Sequence, residues 1–202
     1  MVLKRPLSPF VTFFLGVFVL SAGIGLAALP VWLHQRAQER RGENERTAAA
    51  VMKSLASAQA EFWVRDLDGN GIQDYWTGDL AGLYRWGLID RATAMADLRP
   101  IVPLGPRPVP RNGYFFSALH VDASVDPPES YRQVTDPASG PVHNRTRFGF
   151  VAIPAEFRVT GLPVIVINEG NAMRACREGD ACLGLRHWPS DDEFRSHWST
   201  YG

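Results

Sequence analysis

The strongest constraint on this chain is an uncharged apolar segment near its start, Pro6–Leu33, preceded by Lys4 and Arg5. As a helix rising about 1.5 Å per residue it would measure about 40 Å, enough to cross a hydrocarbon core about 30 Å thick. A cleaved signal peptide is the alternative, because Ala27-Ala28 resembles a small-residue cleavage site. Signal peptides have apolar regions of only about 7–15 residues, so we expect an uncleaved transmembrane helix over 10–33.

The overall composition indicates one ordinary globular domain after this segment. Of 202 residues, 46% are hydrophobic, and 21 basic side chains balance 21 acidic ones. Such a composition excludes a disordered chain and offers no broad basic surface for nucleic acid. We therefore expect no nucleic-acid partner.

The charges that flank the span and the features of the domain predict opposite orientations. More basic residues follow the apolar segment than precede it, which by the positive-inside rule places the domain in the cytoplasm. The basic residues that follow are Arg36, Arg40, Arg41 and Arg46. A cysteine pair and a calcium-type loop instead suit an oxidising, calcium-rich compartment. We expect an extracytoplasmic domain, against the charge rule.

An amphipathic helix is expected to follow the span directly. Its apolar residues recur at steps of three and four, as on one face of a helix. This stripe consists of Ala48, Val51, Met52, Leu55, Ala58 and Phe62. The predicted organisation is a basic segment at 1–9, the transmembrane helix at 10–33, the amphipathic helix at 34–65, and a soluble domain at 66–202 that is completed by helix 44–65.

Strand-like segments dominate the C-terminal half, after short helices predicted at 80–86 and 90–98. The strand candidates are Tyr114–Val121, Phe148–Ile153, Val164–Asn168 and Asn171–Ala175. The last two are separated by Glu169-Gly170, which is typical of a hairpin. The order of one long helix, small helices and then strands indicates an α+β fold, in which the helix packs on an antiparallel sheet.

The sharpest local pattern is the acidic, glycine-containing loop 66–74. Its oxygen-bearing side chains fall at positions one, three, five and nine of a calcium-binding loop. A glycine at position six permits the sharp turn, and the carbonyl at position seven can face inward. The candidate ligands are Asp66, Asp68, Asn70, Ile72 and Asp74. We expect Ca²⁺ here, and the alternative is a polar turn that binds nothing.

Position twelve of this loop departs from the calcium pattern. Thr77 stands where a calcium loop has a glutamate that binds through two oxygens. This predicts weak binding, with a dissociation constant of roughly 10⁻⁴–10⁻³ M as in extracellular modules. A shift of the last ligand to Asp79 is the other reading.

The two cysteines, Cys176 and Cys182, are close enough in sequence to close a small loop. In an oxidising compartment we expect a disulfide, and the alternative is two free thiols. Together with His187 they fall short of a four-ligand zinc set. Further on, Ser190 and Glu193 form a capping box that predicts a C-terminal helix.

The order of these features resembles the type IV pilins and pseudopilins, and in particular a group of uncharacterised bacterial pilin-like proteins. The segments that carry the resemblance are the helix Asn44–Phe62, the loop Asp66–Asp74, the segment Trp76–Leu80 and the late Trp188-Pro189. The resemblance implies an N-terminal apolar helix that continues into an amphipathic helix packed on an antiparallel sheet. The glycine cleavage site of pilins has no counterpart in Leu7–Thr12, and no acidic residue precedes Glu39.

The resemblance implies a membrane-anchored structural or assembly protein of the cell envelope. Its partners would be membrane lipid, through 10–33, and envelope or filament proteins, with the oligomeric state left open. The alternative is a single-pass anchored binding module for an envelope partner or small ligand, using the long loop 122–147. An enzyme is not expected, because the sequence has neither a Gly-x-Ser-x-Gly nor a phosphate-binding glycine loop.

Overall fold

The computed structural model describes residues 9–98 and 107–201, with side chains from Leu29 onward apart from Asp180. Fifteen elements lie within these residues. They are α1 (Pro9–Arg65), β1 (Tyr75–Trp76), α2 (Leu80–Arg85), α3 (Arg91–Met95), β2 (Tyr114–Ala118), β3 (Val121–Asp122), β4 (Glu129–Ser130), β5 (His143–Asn144), β6 (Gly149–Pro154), β7 (Val164–Asn168), β8 (Met173–Cys176), α4 (Gly179–Cys182), β9 (His187–Trp188), α5 (Asp191–His197) and β10 (Trp198–Thr200).

The backbone divides into two units, Met1–Arg40 and Arg41–Gly202. Within the first unit, the described side chains at 29–40 are all exposed. The Arg36 guanidinium carbon lies 4.5 Å from the centre of the Trp32 ring.

Among the residues with described side chains, no helix has the length and apolar character needed to cross a membrane. Most of the predicted span, 10–28, lies outside that set, and so does all of the predicted basic segment 1–9. The transmembrane helix therefore stays a prediction.

The second unit is built on a five-stranded sheet with the strand order β10-β8-β7-β6-β2, in which every pair is antiparallel. Apolar side chains of its central strands alternate between the two faces, as the period of a strand requires. One face carries Phe150, Ile165 and Ile167, and the other carries Val151 and Val166. Because both faces are apolar, the sheet needs a cover on each side.

Helix α1 covers the first face with the predicted stripe. All six stripe residues are at least 94% buried, and five of them pack in one cluster with the sheet. The other face is covered by Tyr131, Leu185, Trp188 and Cys182, and Cys182 is bonded to Cys176 of β8. The predicted α+β fold, with the helix on an antiparallel sheet, is confirmed.

Several small elements differ from the prediction. The predicted strand at 114–121 is interrupted, because β2 belongs to the large sheet and β3 pairs with β4 and β9 in a separate three-stranded sheet. The β3–β9 pair is parallel. Asp79 and Asp90 cap α2 and α3, and the capping box at Ser190 begins α5 as expected. Strands of two residues have too little sequence to show a period, so they are visible only in the fold.

Replacement of Leu55 tests the helix–sheet contact, because its side chain is fully buried. Leu55→Ala should lower the free energy of unfolding by about 2–5 kcal/mol, and Leu55→Asp by more, since it buries an unpaired charge. Urea unfolding followed by circular dichroism measures both. Ser57→Asp places the same carboxylate on the exposed face of α1 and should change stability little. Wild-type stability in Leu55→Asp would show that the stripe is not core.

Candidate metal centre

The acidic loop begins where helix α1 ends. Asp66 follows Arg65 with a positive φ of 45°, and Gly69 and Gly71 have φ values of 67° and 76°. The Gly69 amide donates to the Asp66 carbonyl at 3.0 Å. Glycine adopts such angles without steric cost, so the two glycines let the chain curl directly after the helix.

Each of the three aspartates uses one carboxylate oxygen within the fold. Asp66 Oδ2 accepts the Gly71 amide at 2.9 Å, and Asp68 Oδ2 accepts the Asn70 side-chain amide at 2.7 Å. Asp74 Oδ2 accepts the hydroxyl of Thr135.

The second oxygen of each of these carboxylates is buried without a hydrogen-bond partner in the described part of the chain. The three atoms are Asp66 Oδ1, Asp68 Oδ1 and Asp74 Oδ1. Buried polar atoms are almost always hydrogen-bonded, and three unsatisfied oxygens on one short loop call for a physical explanation. A cation would give a partner to the carboxylates of Asp68 and Asp74, whose ligand atoms converge.

His143 reaches the loop from a distant part of the sequence. It lies in β5, which pairs with β1 so that His143 stands opposite Trp76. Its ring stacks on Phe62 with centroids 6.1 Å apart and meets Trp76 edge-on at 5.4 Å. The aromatic side chains therefore fix the plane of the imidazole.

The imidazole lies between two carboxylates. His143 Nε2 is 3.3 Å from Asp68 Oδ2, and His143 Nδ1 is 3.8 Å from Asp74 Oδ2. The ligand atoms of these three residues lie within 4.8 Å of one another, and their side chains are 8% exposed for Asp68 and 0% for the other two. Neither ring nitrogen has a hydrogen-bond partner among the described residues.

The crowding of carboxylates affects protonation of the central one. Burial raises the pKa of Asp68, and the neighbouring carboxyl of Asp66 raises it further. A hydrogen bond from the backbone of Asn70 and the charge of His143 lower the pKa of Asp68 in part, and the net shift is upward. Negative charge at this position is therefore unfavourable unless a positive charge accompanies it.

Two of the predicted ligands are engaged locally. Asn70 Oδ1 accepts the Ile72 amide at 2.7 Å, and the Asn70 amide nitrogen donates to Asp68. Asn70 thus closes a turn onto its own backbone, which was the alternative reading for this loop. Ile72 is half-buried, and its backbone amide donates a hydrogen bond to the Asn70 side chain.

Both residues considered for the last position of the loop make hydrogen bonds within the fold. The hydroxyl of Thr77 donates to the carbonyl of Tyr131 at 3.1 Å, and the side chain is 2% exposed. Asp79 Oδ1 accepts the Gly82 amide at 2.7 Å as the N-cap of α2. One oxygen of Asp79 therefore begins the helix, and the shift of the last ligand to Asp79 stays a prediction.

Sequence reasoning missed His143. The sequence shows no metal-binding spacing around it, and only the pairing of β5 with β1 brings it to the loop.

Gln59 of α1 holds this strand pair in place. Its Oε1 accepts the Trp76 amide at 2.9 Å, and its Nε2 donates to the Trp76 carbonyl. The Trp76 ring lies directly over Gly82, where a Cβ would be 2.0 Å from the indole. Gln59 and Gly82 together set the position of the strand opposite His143.

The predicted disulfide is confirmed. Cys176 and Cys182 are bonded, with Cα atoms 6.4 Å apart, and both are buried on the second face of the sheet. The bond joins the end of β8 to α4, away from the acidic loop in sequence.

Comparison with known proteins finds no match for this chain among protein-family models, curated proteins or solved structures.

Gln59→Leu tests the support of the site. The change leaves the amide and carbonyl of Trp76 without their partner, and it should lower the free energy of unfolding by about 1–3 kcal/mol. Urea unfolding at fixed calcium concentration measures the loss. Gln73→Leu, at an exposed position next to Asp74, is the control and should have little effect. Equal stability of the two variants would contradict the role given to Gln59.

Proposed function

We propose that this chain is a membrane-anchored, pilin-like structural or assembly protein of the cell envelope, and not an enzyme. The packing of the helix stripe on the antiparallel sheet carries the proposal, because this is the arrangement that the resemblance to pilins implies. In this proposal residues 10–33 hold the chain in the membrane, and envelope or filament proteins are its partners.

The exposed end of the predicted span supports the anchor. Leu29, Val31, Trp32 and Leu33 are between 48% and 59% exposed. Tryptophan and arginine are typical of the membrane–water boundary, and Arg36 lies over the Trp32 ring. Large apolar side chains on a helix surface are costly in water, and lipid would remove that cost.

The disulfide supports an extracytoplasmic domain. Cys176 and Cys182 are bonded, and disulfides persist in oxidising compartments. This outweighs the basic residues after the span, since the positive-inside rule describes a bias in loop charges and not a fixed requirement.

Calcium at loop 66–74 is part of the proposal. It is supported by the three unsatisfied carboxylate oxygens, which are hard ligands of the kind that calcium takes. The bound ion would offset their mutual repulsion and stiffen the loop after α1.

The binding-module alternative is less well supported. The loop 122–147 that it would use contributes Tyr131 and His143 to the interior, at 2% and 0% exposure. Two cavities beside α1, one lined in part by Val51 and Arg111 and the other by Arg46 and Tyr201, have volumes of about 220 and 260 Å³. Both are below the roughly 300–1,000 Å³ of most small-molecule pockets.

Cell fractionation tests the proposed function. The full-length chain should remain in membranes after a carbonate wash, and protease added to spheroplasts should digest its domain. Leu20→Arg, at the centre of the predicted span, should release part of the chain, because arginine there costs about 2.5–3.5 kcal/mol of insertion free energy. Leu20→Ile is the matched control.

Isolation from detergent extracts then separates the two functions. Co-purification of filament or secretion-machine proteins would favour the assembly protein. A soluble chain of reduced length, or a lone chain that carries a small ligand, would contradict it.

Calcium titration of the purified full-length chain in detergent tests the ion. At about 10 mM calcium, which is about 10- to 100-fold above a dissociation constant of roughly 10⁻⁴–10⁻³ M, an ion that binds only the folded form adds about 1.4–2.7 kcal/mol of stability. The melting temperature of the wild type should rise with millimolar calcium, and that of Asp68→Ala should not. Asp192→Ala removes a carboxylate that is 90% exposed and should respond like the wild type. An equal rise in Asp68→Ala would show that the loop is a turn only.

A further inference from the structure

His143 is the least explained side chain of the candidate site. It is fully buried and lies 3.3 Å from one carboxylate oxygen and 3.8 Å from another. Within the described residues, neither ring nitrogen has a hydrogen-bond partner. A buried imidazole with two unsatisfied nitrogens is costly, so a structural role in ring packing alone does not account for it.

The acidic loop in turn is short of one ligand. Thr77 and Asp79, the residues at and just after its twelfth position, are both used elsewhere in the fold. Calcium takes about 6–8 oxygens, and the loop offers three carboxylate oxygens without another partner. His143 therefore lies beside a group of oxygens that is incomplete without it.

We infer that His143 is a direct ligand of the cation at this loop, and that the site therefore binds a divalent transition ion such as Zn²⁺ or Mn²⁺ more tightly than Ca²⁺. The inference rests on the cation site proposed above. The geometry that carries it is the convergence of Asp68, Asp74 and His143, whose ligand atoms lie within 4.8 Å of one another, with Asp66 beside Asp68.

The donor set decides the class of ion. Imidazole nitrogen suits zinc and its neighbours in the transition series, whereas carboxylate oxygen suits both manganese and calcium. Asp68, Asp74 and His143 supply three ligands, which is the number of protein ligands in zinc sites that keep a fourth position for water. Calcium gains little from a nitrogen ligand and would need water molecules to complete the oxygens that the loop provides, which makes its binding the weaker.

The imidazole can serve the site with both of its nitrogens. While one nitrogen binds the ion, the other carries a proton and can donate to the second carboxylate, as ligating histidines generally do. The stacking of Phe62 and the edge contact of Trp76 hold the ring in this plane. The ion would thus join the loop after α1 to strand β5, two segments that are far apart in sequence.

Metal titrations of the metal-free, full-length chain in detergent test this inference. The melting temperature should rise at concentrations of ZnCl₂ or MnCl₂ at least about tenfold below those of CaCl₂. In His143→Gln this preference should disappear while a calcium response remains. His197→Gln removes a histidine that is 40% exposed and should keep the preference, which controls for metal bound at the surface.

Spectroscopy of the wild type provides a readout that does not depend on the folding of a variant. Electron spin echo measurements on the Mn²⁺-loaded protein should detect coupling to one imidazole nitrogen, at a stoichiometry of one ion per chain. Absence of that coupling, or a transition-ion preference that persists in His143→Gln, would overturn the inference.

The two proposals fail in different ways. If calcium stabilises the protein and transition ions act no more tightly, the calcium site stands and the role of His143 is wrong. If neither calcium nor a transition ion raises the melting temperature, the cluster binds no cation and both ideas fail, while the membrane and assembly tests remain independent of it.

Discussion

The packing of one helix face against the large sheet is the contact on which the rest of this domain depends. The two central strands, β6 and β7, are apolar on both faces, so neither face can be left to water. Helix α1 removes one face from solvent through Met52, Leu55 and their neighbours. The long connections and the disulfide-bonded segment cover the other. The sheet is thus the central layer, and the remaining elements lie where they bury its two apolar faces.

The same packing also positions the acidic loop. Phe62, in the last turn of α1, is anchored in the interior and stacks on His143. One turn earlier, Gln59 binds the backbone of Trp76 and so fixes the strand that pairs with β5. Because the loop begins where this turn ends, the packing of the core determines where the carboxylates of the loop lie. The site is therefore a consequence of the helix–sheet contact and not a separate module.

Loop 66–74 and His143 differ from the rest of the domain because several ionisable groups are buried together there. Three carboxylates and an imidazole lie in a largely buried part of the domain, and several of their polar atoms have no hydrogen-bond partner among the described residues. Burial and the adjacent Asp66 raise the pKa of Asp68, which reflects the cost of holding these charges together. A divalent ion is the simplest agent that offsets this cost, and it would act only after the fold has assembled the cluster.

By itself, the sequence determined the elements whose signals are local. The spacing from Ala48 to Phe62 predicted the buried helix face, and the apolar runs predicted the central strands. Ser190 predicted the start of the last helix, because a cap acts within a few residues of itself. Tertiary structure alone decided the partner of the loop, since His143 reaches it through strand pairing between segments far apart in the chain. It also decided that Asp79 caps helix α2, because a carboxylate has the same chemistry in a cap and in an ion site and only the position of its neighbours selects the cap.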